Sequence, residues 1–193
     1  MSPEPPDRYR NGIHAQEMIK NMLSIAHFQH SRAKTLEEFI QCKETLFPVA
    51  GQYADECYVP LNAPWHQKKQ RKARVDFLIM PQSRELVVVS VKSQQVNGTA
   101  EGKLEYECQQ LISTQLPAAM LVIGPIKGRD SKEGWTLEVL EQIWERVRYY
   151  SNDQILLFRT DAKIRRWFKE GLPVARQGKT TSQIFNLYCD LEP

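Results

Sequence analysis

The stretch RVDFLIMPQSRELVVVSVKSQQ places an acid and a base at opposite ends of an apolar hairpin. Asp76 lies near the start of the first arm and Lys92 near the end of the second, with Pro81 in the turn between them. Because side chains alternate along a strand, antiparallel pairing brings Asp76 close to Ser90 and Lys92 on one face. A carboxylate in so apolar a strand is costly unless a cation offsets it. The residues therefore fit either an ion pair at a sheet edge or a site that binds a metal ion.

A basic tract, KKQRKAR, stands immediately before Asp76. Such a tract could bind phosphate groups, which gives salt-dependent affinity without sequence preference, or it could form a solvated loop. Two glutamines after Lys92 could contact nucleic acid or support the lysine. The candidate DNA-binding residues are Lys68, Lys69, Arg71, Lys72, Arg74, Gln94 and Gln95.

The remaining periodicities predict the elements that must position these residues. Residues 1–11 read as a loose arm, and residues 12–50 as helical, with Thr35 and Glu38 capping a second helix. Residues 51–125 predict a three-strand meander, a helix that crosses the sheet and a fourth strand. Residues 126–193 predict a helix, a strand and a helix. The 193 residues then form one domain of the α/β (α+β) class, a mixed sheet of about five strands flanked by helices.

The helix predicted after the hairpin carries three glutamates. Its apolar stripe comprises Ala100, Leu104, Cys108 and Leu111. With successive residues about 100° apart, Glu101 and Glu107 lie about 60° from the centre of the stripe and Glu105 about 90° from it. Glu107 is therefore the glutamate that best faces the sheet, and Glu101 is best explained as a first-turn charge favourable to the helix dipole. Gln110, on the same helix, is expected at the surface.

Composition and motif searches exclude several classes of protein. The chain is 41% hydrophobic and 25% charged, which is ordinary for a globular domain. It has no apolar run long enough for a membrane span and no signal-peptide core at its start, so we expect a cytoplasmic protein with no membrane partner. The four cysteines lie far apart, as buried thiols do and zinc ligands do not. The histidines form no HExxH motif, and no GxSxG motif occurs.

The segments VDF and SVK, in this order of predicted elements, resemble the signature of the restriction-endonuclease-like, or PD-(D/E)XK, nucleases. The resemblance covers residues 12–125 and implies that family's core. Ser90 departs from the pattern, because the family usually has an acid or Gln there and Ser is a poor ligand for a hard cation. Some restriction endonucleases with Ser in this triplet take the acid from the following helix. Glu107 is the favoured substitute, and Glu105 is retained because its distance from the lysine fits such members.

The resemblance also implies roles for these residues. Asp76 and Glu107 would bind Mg²⁺, for which Mn²⁺ is an expected substitute, and the carbonyl of Val91 would be a third ligand. Lys92 would position the attacking water and stabilise charge at the phosphate. In relatives the first helix often supplies an outer-shell acid, a role that Glu17 would take here. The candidate catalytic residues are Asp76, Lys92, Glu107, Ser90 and Glu105.

The function implied by the resemblance is a Mg²⁺-dependent DNA endonuclease, either a type II restriction endonuclease or the cleavage subunit of one. Its partners would be double-stranded DNA and either a second copy of the chain or a larger DNA-recognising subunit. Two alternatives stay open. The missing triplet acid also fits a non-catalytic DNA-binding module of the same fold, and the same chemistry would serve a structure-specific repair or junction nuclease.

Overall fold

The computed structural model describes residues 7–41, 51–62, 71–81, 85–93, 104–123, 137–152, 154–158 and 161–172. The strands in these ranges are β1 (Gln29–Ser31), β2 (Gln52–Pro60), β3 (Lys72–Met80), β4 (Val87–Ser93), β5 (Ala118–Ile123) and β6 (Ile155–Phe158). The helices are α1 (Asp7–Ile25), α2 (Leu36–Ile40), α3 (Leu104–Ser113), α4 (Leu137–Ser151) and α5 (Asp161–Lys169). None of these helices combines the length and the apolar character that a bilayer crossing requires.

The strands form a single mixed sheet in the order β1-β2-β3-β4-β5-β6. The chain-consecutive strands β2, β3 and β4 are antiparallel, as predicted for the meander, whereas β5 runs parallel to β4 and β6 parallel to β5. The helix α3 connects β4 to its parallel neighbour β5, which is the connection that parallel strands require. The predicted mixed α/β architecture is thus confirmed, with six strands described in place of about five.

Helices cover both faces of the sheet. Successive residues of the central strands enter opposite cores: Phe77 packs with Ile19 and Trp167 on the side of α1 and α5, and Leu78 packs with Leu104 on the side of α3 and α4. All six residues of β5 are buried, because both of its faces are covered. The sheet is therefore the rigid layer on which the polar residues at its strand ends are held.

The N-terminal half differs from the sequence prediction in two respects. The helix α1 begins at Asp7, so the loose arm expected over residues 1–11 is wrong for residues 7–11, and residues 1–6 lie outside the described part of the chain. The short strand β1 interrupts the region expected to be helical and pairs in parallel with β2. The predicted cap of α2 is confirmed, because Thr35 Oγ1 accepts a hydrogen bond from the backbone N–H of Glu38 at 3.1 Å.

A buried carboxylate ties α1 and β1 to the sheet. Asp55 on β2 is only 8% exposed, and its oxygens lie 2.8 Å from Lys20 Nζ, 3.1 Å from His30 Nε2 and 3.2 Å from Lys34 Nζ. Burial by itself would raise the pKa of Asp55, but the hydrogen bonds from Lys20, His30 and Lys34 outweigh burial and hold this pKa well below its ordinary value. The folded state therefore binds the proton of this carboxyl group less readily than the unfolded chain does.

We predict that Asp55→Asn lowers the free energy of unfolding at pH 7 by about 2–3 kcal/mol, since hydrogen bonds to a charged group are lost. Because the folded pKa of Asp55 is depressed, the wild-type protein loses this stabilisation as the pH falls below about 4, the ordinary range of an aspartate. Urea denaturation followed by circular dichroism should show that the free energy of unfolding falls less steeply with decreasing pH in the variant than in the wild-type protein. Glu141→Gln, at an exposed position of α4, is the control. A variant with the wild-type pH profile would contradict the role of Asp55.

Candidate active site

The pairing of the strands divides at Asp76. In the described residues, β3 pairs with β4 at three positions, the last of which is Phe77↔Val89. Beyond this pair β4 continues beside β5, while β3 continues beside β2. A fork opens between the two strands, and the carboxylate of Asp76 lies at its apex, where Oδ2 accepts a hydrogen bond from the backbone N–H of Val91 at 2.7 Å. A side chain thus replaces the strand partner that Val91 would otherwise have.

The neighbouring strand is also irregular at this point. The pairs Asp55↔Phe77 and Cys57↔Val75 belong to one register of β2 and β3. Glu56, which lies between Asp55 and Cys57 on β2, has a φ of 49°. This left-handed conformation is uncommon for residues other than Gly. Two irregularities, a fork on one side of β3 and a distorted residue on the other, therefore coincide at Asp76.

The carboxylate of Asp76 is held from both layers of the protein. From α1, Gln16 Nε2 donates a hydrogen bond to Oδ1 at 3.1 Å. From β4, Ser90 Oγ lies 3.3 Å from Oδ2 in addition to the bond from the Val91 N–H. These donors come from a helix that packs on the sheet and from a strand of the sheet itself, so they fix the orientation of the carboxylate.

The acid of the neighbouring helix meets this group through Ser90. Glu107 on α3 accepts a hydrogen bond from Ser90 Oγ through Oε1 and forms an ion pair with Lys92 Nζ through Oε2. The side chains of Lys92 and Glu107 are 19% and 20% exposed, so the pair is largely shielded from water. Since a hydroxyl has only one proton, Ser90 can donate to Asp76 or to Glu107 but not to both at once. Two neighbouring carboxylates, only one of which is paired with an ammonium group, favour the binding of a further cation.

A small cavity of about 20 Å³ lies between the two acids, lined among others by Asp76, Ser90, Glu107 and Gln110. This volume accommodates about one water molecule or one ion. The backbone C=O of Val91 faces the same fork as its N–H, because both groups of a strand residue point to one edge. Within the described ranges no cluster of three or more His, Cys, Asp or Glu side chains occurs that could hold a metal.

The residues at the fork nevertheless fit Mg²⁺. This ion prefers oxygen ligands and is commonly held by only one or two carboxylates while it keeps several waters. Asp76 and Glu107 would supply the carboxylates, and the carbonyl of Val91 faces the fork between them. The two cysteines in the described ranges are unsuited as metal ligands, because burial raises the pKa of Cys57 to about 11 and that of Cys108 to about 12, so both stay protonated at neutral pH.

The structure distinguishes between Glu107 and Glu105, the two helix glutamates that the sequence offered as the substitute acid. Glu107 contacts Ser90 and Lys92, whereas Glu105 is exposed and accepts a hydrogen bond from Gln109 Nε2 at 3.3 Å. Glu105 therefore lies on the outer side of α3, away from the fork.

The outer-shell prediction on α1 needs correction by one position. Glu17 is 56% exposed and pairs with Lys20 at 2.9 Å, while Gln16 is the residue that contacts Asp76. The side chains of Ala15 and Ile19 enter the core, and this core stripe turns Gln16 towards the sheet. Gln110 was also missed, although its spacing of one helical turn from Glu107 indicates a shared face.

Three of the predicted DNA-binding residues lie at the start of β3 with exposed side chains. Arg74 forms an ion pair with Glu56, and Lys72 Nζ lies 3.7 Å from Glu37 Oε1. Arg74 also lines the small cavity. The other DNA-binding candidates, Lys68, Lys69, Gln94 and Gln95, lie outside the described residues. Glu101 of the predicted helix also lies outside them.

We predict that Asp76→Asn and Glu107→Gln each weaken the binding of Mn²⁺, used as a probe for Mg²⁺, by about tenfold or more, because each removes a carboxylate ligand. Electron paramagnetic resonance of free Mn²⁺ measures the affinity without any substrate. Glu105→Gln removes a glutamate two positions away on the same helix and serves as the matched control. Equal Mn²⁺ affinity of the Glu107→Gln variant and the wild-type protein would contradict this site.

Comparisons with known proteins leave the identity of the chain open. No family model, no curated protein and no solved structure matches it. What the site does is therefore inferred from the geometry around the fork. The two acids, the shared hydroxyl and the paired lysine are the observations on which a function must rest.

Proposed function

We propose that the protein is a Mg²⁺-dependent endonuclease that hydrolyses phosphodiester bonds of DNA. The observation that carries the proposal is the contiguous chain of contacts Asp76–Ser90–Glu107–Lys92 at the strand fork. The two carboxylates line a cavity of about 20 Å³ there, and the ammonium group of Lys92 pairs with one of them. This combination suits a substrate that carries negative charge, with a metal ion that the two carboxylates would hold.

Each residue has a task in that reaction. Hydrolysis of a phosphodiester requires an activated water and neutralisation of the charge that develops at the phosphate. A bound Mg²⁺ supplies Lewis acidity and lowers the pKa of a coordinated water. Asp76 and Glu107 would hold the ion, and Gln16 keeps Asp76 in its orientation. Lys92, a compact cation, would orient the water and offset the charge of the phosphate.

The order of the elements supports this proposal. The meander β2-β3-β4, the crossing helix α3 and the parallel strand β5 follow one another as in the core that the resemblance to PD-(D/E)XK nucleases implies. Asp76 stands at the fork and Lys92 near the end of β4, which are the positions of the signature. The carboxylate usually found in the triplet is supplied here by Glu107 from α3, with Ser90 hydrogen-bonded to it.

Within this class, a type II restriction endonuclease or its cleavage subunit, acting on double-stranded DNA in the cytoplasm, is the first candidate. Each site cuts one strand, so a homodimer or a larger DNA-recognising partner is needed to cut both. Arg71, Lys72 and Arg74 are exposed at the start of β3, and Arg74 lines the small cavity. They are suited to the backbone contacts that position a duplex without reading its sequence.

One observation favours a different function. Lys92 is engaged by Glu107, and the triplet position is Ser90, as expected for a fold that binds DNA without cleaving it. A structure-specific nuclease is the other alternative and uses the same chemistry. Cleavage in the presence of Mg²⁺ separates the enzyme from the binding module.

We predict that the protein nicks or linearises supercoiled plasmid in Mg²⁺ and not in EDTA, and that Lys92→Ala and Glu107→Gln lower the rate by about 100-fold or more. Agarose gels of the plasmid measure the rate. Lys169→Ala and Glu105→Gln, both at exposed positions, are the matched controls and should cut like the wild-type protein. Undiminished cleavage by Lys92→Ala would exclude this site.

A second prediction tests directly whether Glu107 replaces the acid that the triplet lacks. The double substitution Ser90→Glu with Glu107→Gln should recover part of the cleavage that Glu107→Gln alone loses, because position 90 contacts both carboxylates and a glutamate there can reach the same cavity. Ser90→Gln with Glu107→Gln has a similar side-chain volume without the charge and is the control. No recovery with Glu, in a variant whose circular dichroism is native, would count against Glu107 as the substitute for the triplet acid.

A further inference from the structure

A second depression adjoins the small cavity and is not used by the proposed chemistry. This groove has a volume of about 720 Å³ and lies between the start of β3 and the outer side of α3. Its lining comprises Leu61, Arg71, Lys72, Tyr106, Gln109, Gln110, Ile112 and Ser113. The volume falls in the range of pockets that bind small ligands, about 300–1,000 Å³.

An exposed aromatic ring lies in the groove in a fixed orientation. Tyr106 is 65% exposed, although large aromatic side chains generally gain from burial. Its hydroxyl accepts a hydrogen bond from Gln110 Nε2 at 2.8 Å, which joins two residues one helical turn apart. The ring is thus held on the surface of α3, with area available for another planar group.

The groove also carries positive charge. Arg71 and Lys72 are exposed at its β3 side. Lys72 has Glu37 at 3.7 Å, a distance at which an exposed ion pair contributes little and is readily exchanged for a phosphate. An aromatic surface beside two cations matches the pattern by which proteins bind single-stranded nucleic acid, with bases on the ring and phosphates on the basic residues.

The groove and the candidate active site are continuous. Gln110 lines both the groove and the 20 Å³ cavity, and Tyr106 directly precedes Glu107 on α3. A strand whose phosphate reaches the fork would therefore place an adjoining nucleotide at Tyr106. Within an intact duplex that base is stacked between its neighbours and cannot cover the ring unless it leaves the stack.

We propose that the groove binds an unpaired nucleotide of the DNA strand that is cut, with the base on Tyr106, its phosphate at Arg71 and Lys72, and its edge at Gln110. The inference rests on the proposed nuclease function and, within it, favours the structure-specific nuclease over a restriction endonuclease that cuts intact duplex. DNA that presents an unpaired nucleotide beside the scissile bond, at a flap, gap or strand end, is preferred over fully paired duplex.

Binding in EDTA tests the groove separately from catalysis. Fluorescence anisotropy with the full chain compares a fully paired duplex with the same duplex carrying a one-strand overhang. The overhang should bind more tightly, and Tyr106→Ala should weaken its binding about tenfold while leaving the paired duplex unchanged. Tyr106→Phe, which keeps the ring, should retain most of the affinity. Tyr149→Ala, at an exposed tyrosine of α4, is the matched control.

A 2-aminopurine in the overhang reports stacking directly, and its fluorescence should be quenched by the wild-type protein and not by Tyr106→Ala. Equal affinity for both DNAs, or an equal loss for both in Tyr106→Ala, would overturn the inference. If the protein cuts plasmid in Mg²⁺ but gives either of these two binding results, the nuclease proposal stands and the proposed role of the groove is wrong. If the overhang is bound through Tyr106 but no DNA is cut, the groove stands and the nuclease proposal fails.

Discussion

The hydrogen bond from the Val91 N–H to Asp76 holds the candidate site together. Buried backbone donors are almost always paired, and a forked sheet leaves the inner edge of each strand without its ladder partner. By accepting the hydrogen bond that a strand partner would otherwise accept, Asp76 lets β3 and β4 separate at a modest cost in free energy. The separation opens a gap in an otherwise apolar layer. The carboxylate therefore has a structural task besides any role in metal binding. Asp76→Ala should destabilise the sheet, whereas the isosteric Asn keeps an oxygen that can accept from Val91.

The charges at the fork balance only in part. Asp76 and Glu107 carry two negative charges against the one of Lys92, and Ser90 can donate to one carboxylate at a time. A divalent ion bound between the acids would relieve their repulsion and release Lys92 for an anionic substrate. The ion pair between Lys92 and Glu107 thus occupies the groups that a cation and a phosphate would use, so the binding of one would affect the binding of the other through Glu107.

The alternation of side chains along the hairpin was enough to predict that Asp76, Ser90 and Lys92 lie on one face of the sheet, because strand pairing fixes which residues face each side. Helical angles similarly favoured Glu107 over Glu105. What failed depended on tertiary contacts. The strand β1 is three residues long and polar, and it is set up by a left-handed turn at His27 with a φ of 64°, where no Gly marks the end of α1. Gln16 contacts Asp76 because of how α1 packs on the sheet, which helical spacing within α1 does not determine.

The helix α3 connects the two surfaces that matter most. Its inner face presents Glu107 to the fork, and its outer face presents Tyr106 to the groove, with Gln110 bordering both. Because these residues belong to one rigid helix whose Leu104 and Cys108 are fully packed in the core, a group bound at Tyr106 has a fixed position relative to the two acids. In the proposed nuclease, α3 would thus recognise an unpaired base and place the scissile phosphate at the same time. Such an arrangement would select a DNA structure by position, without reading base identity in either groove of a duplex.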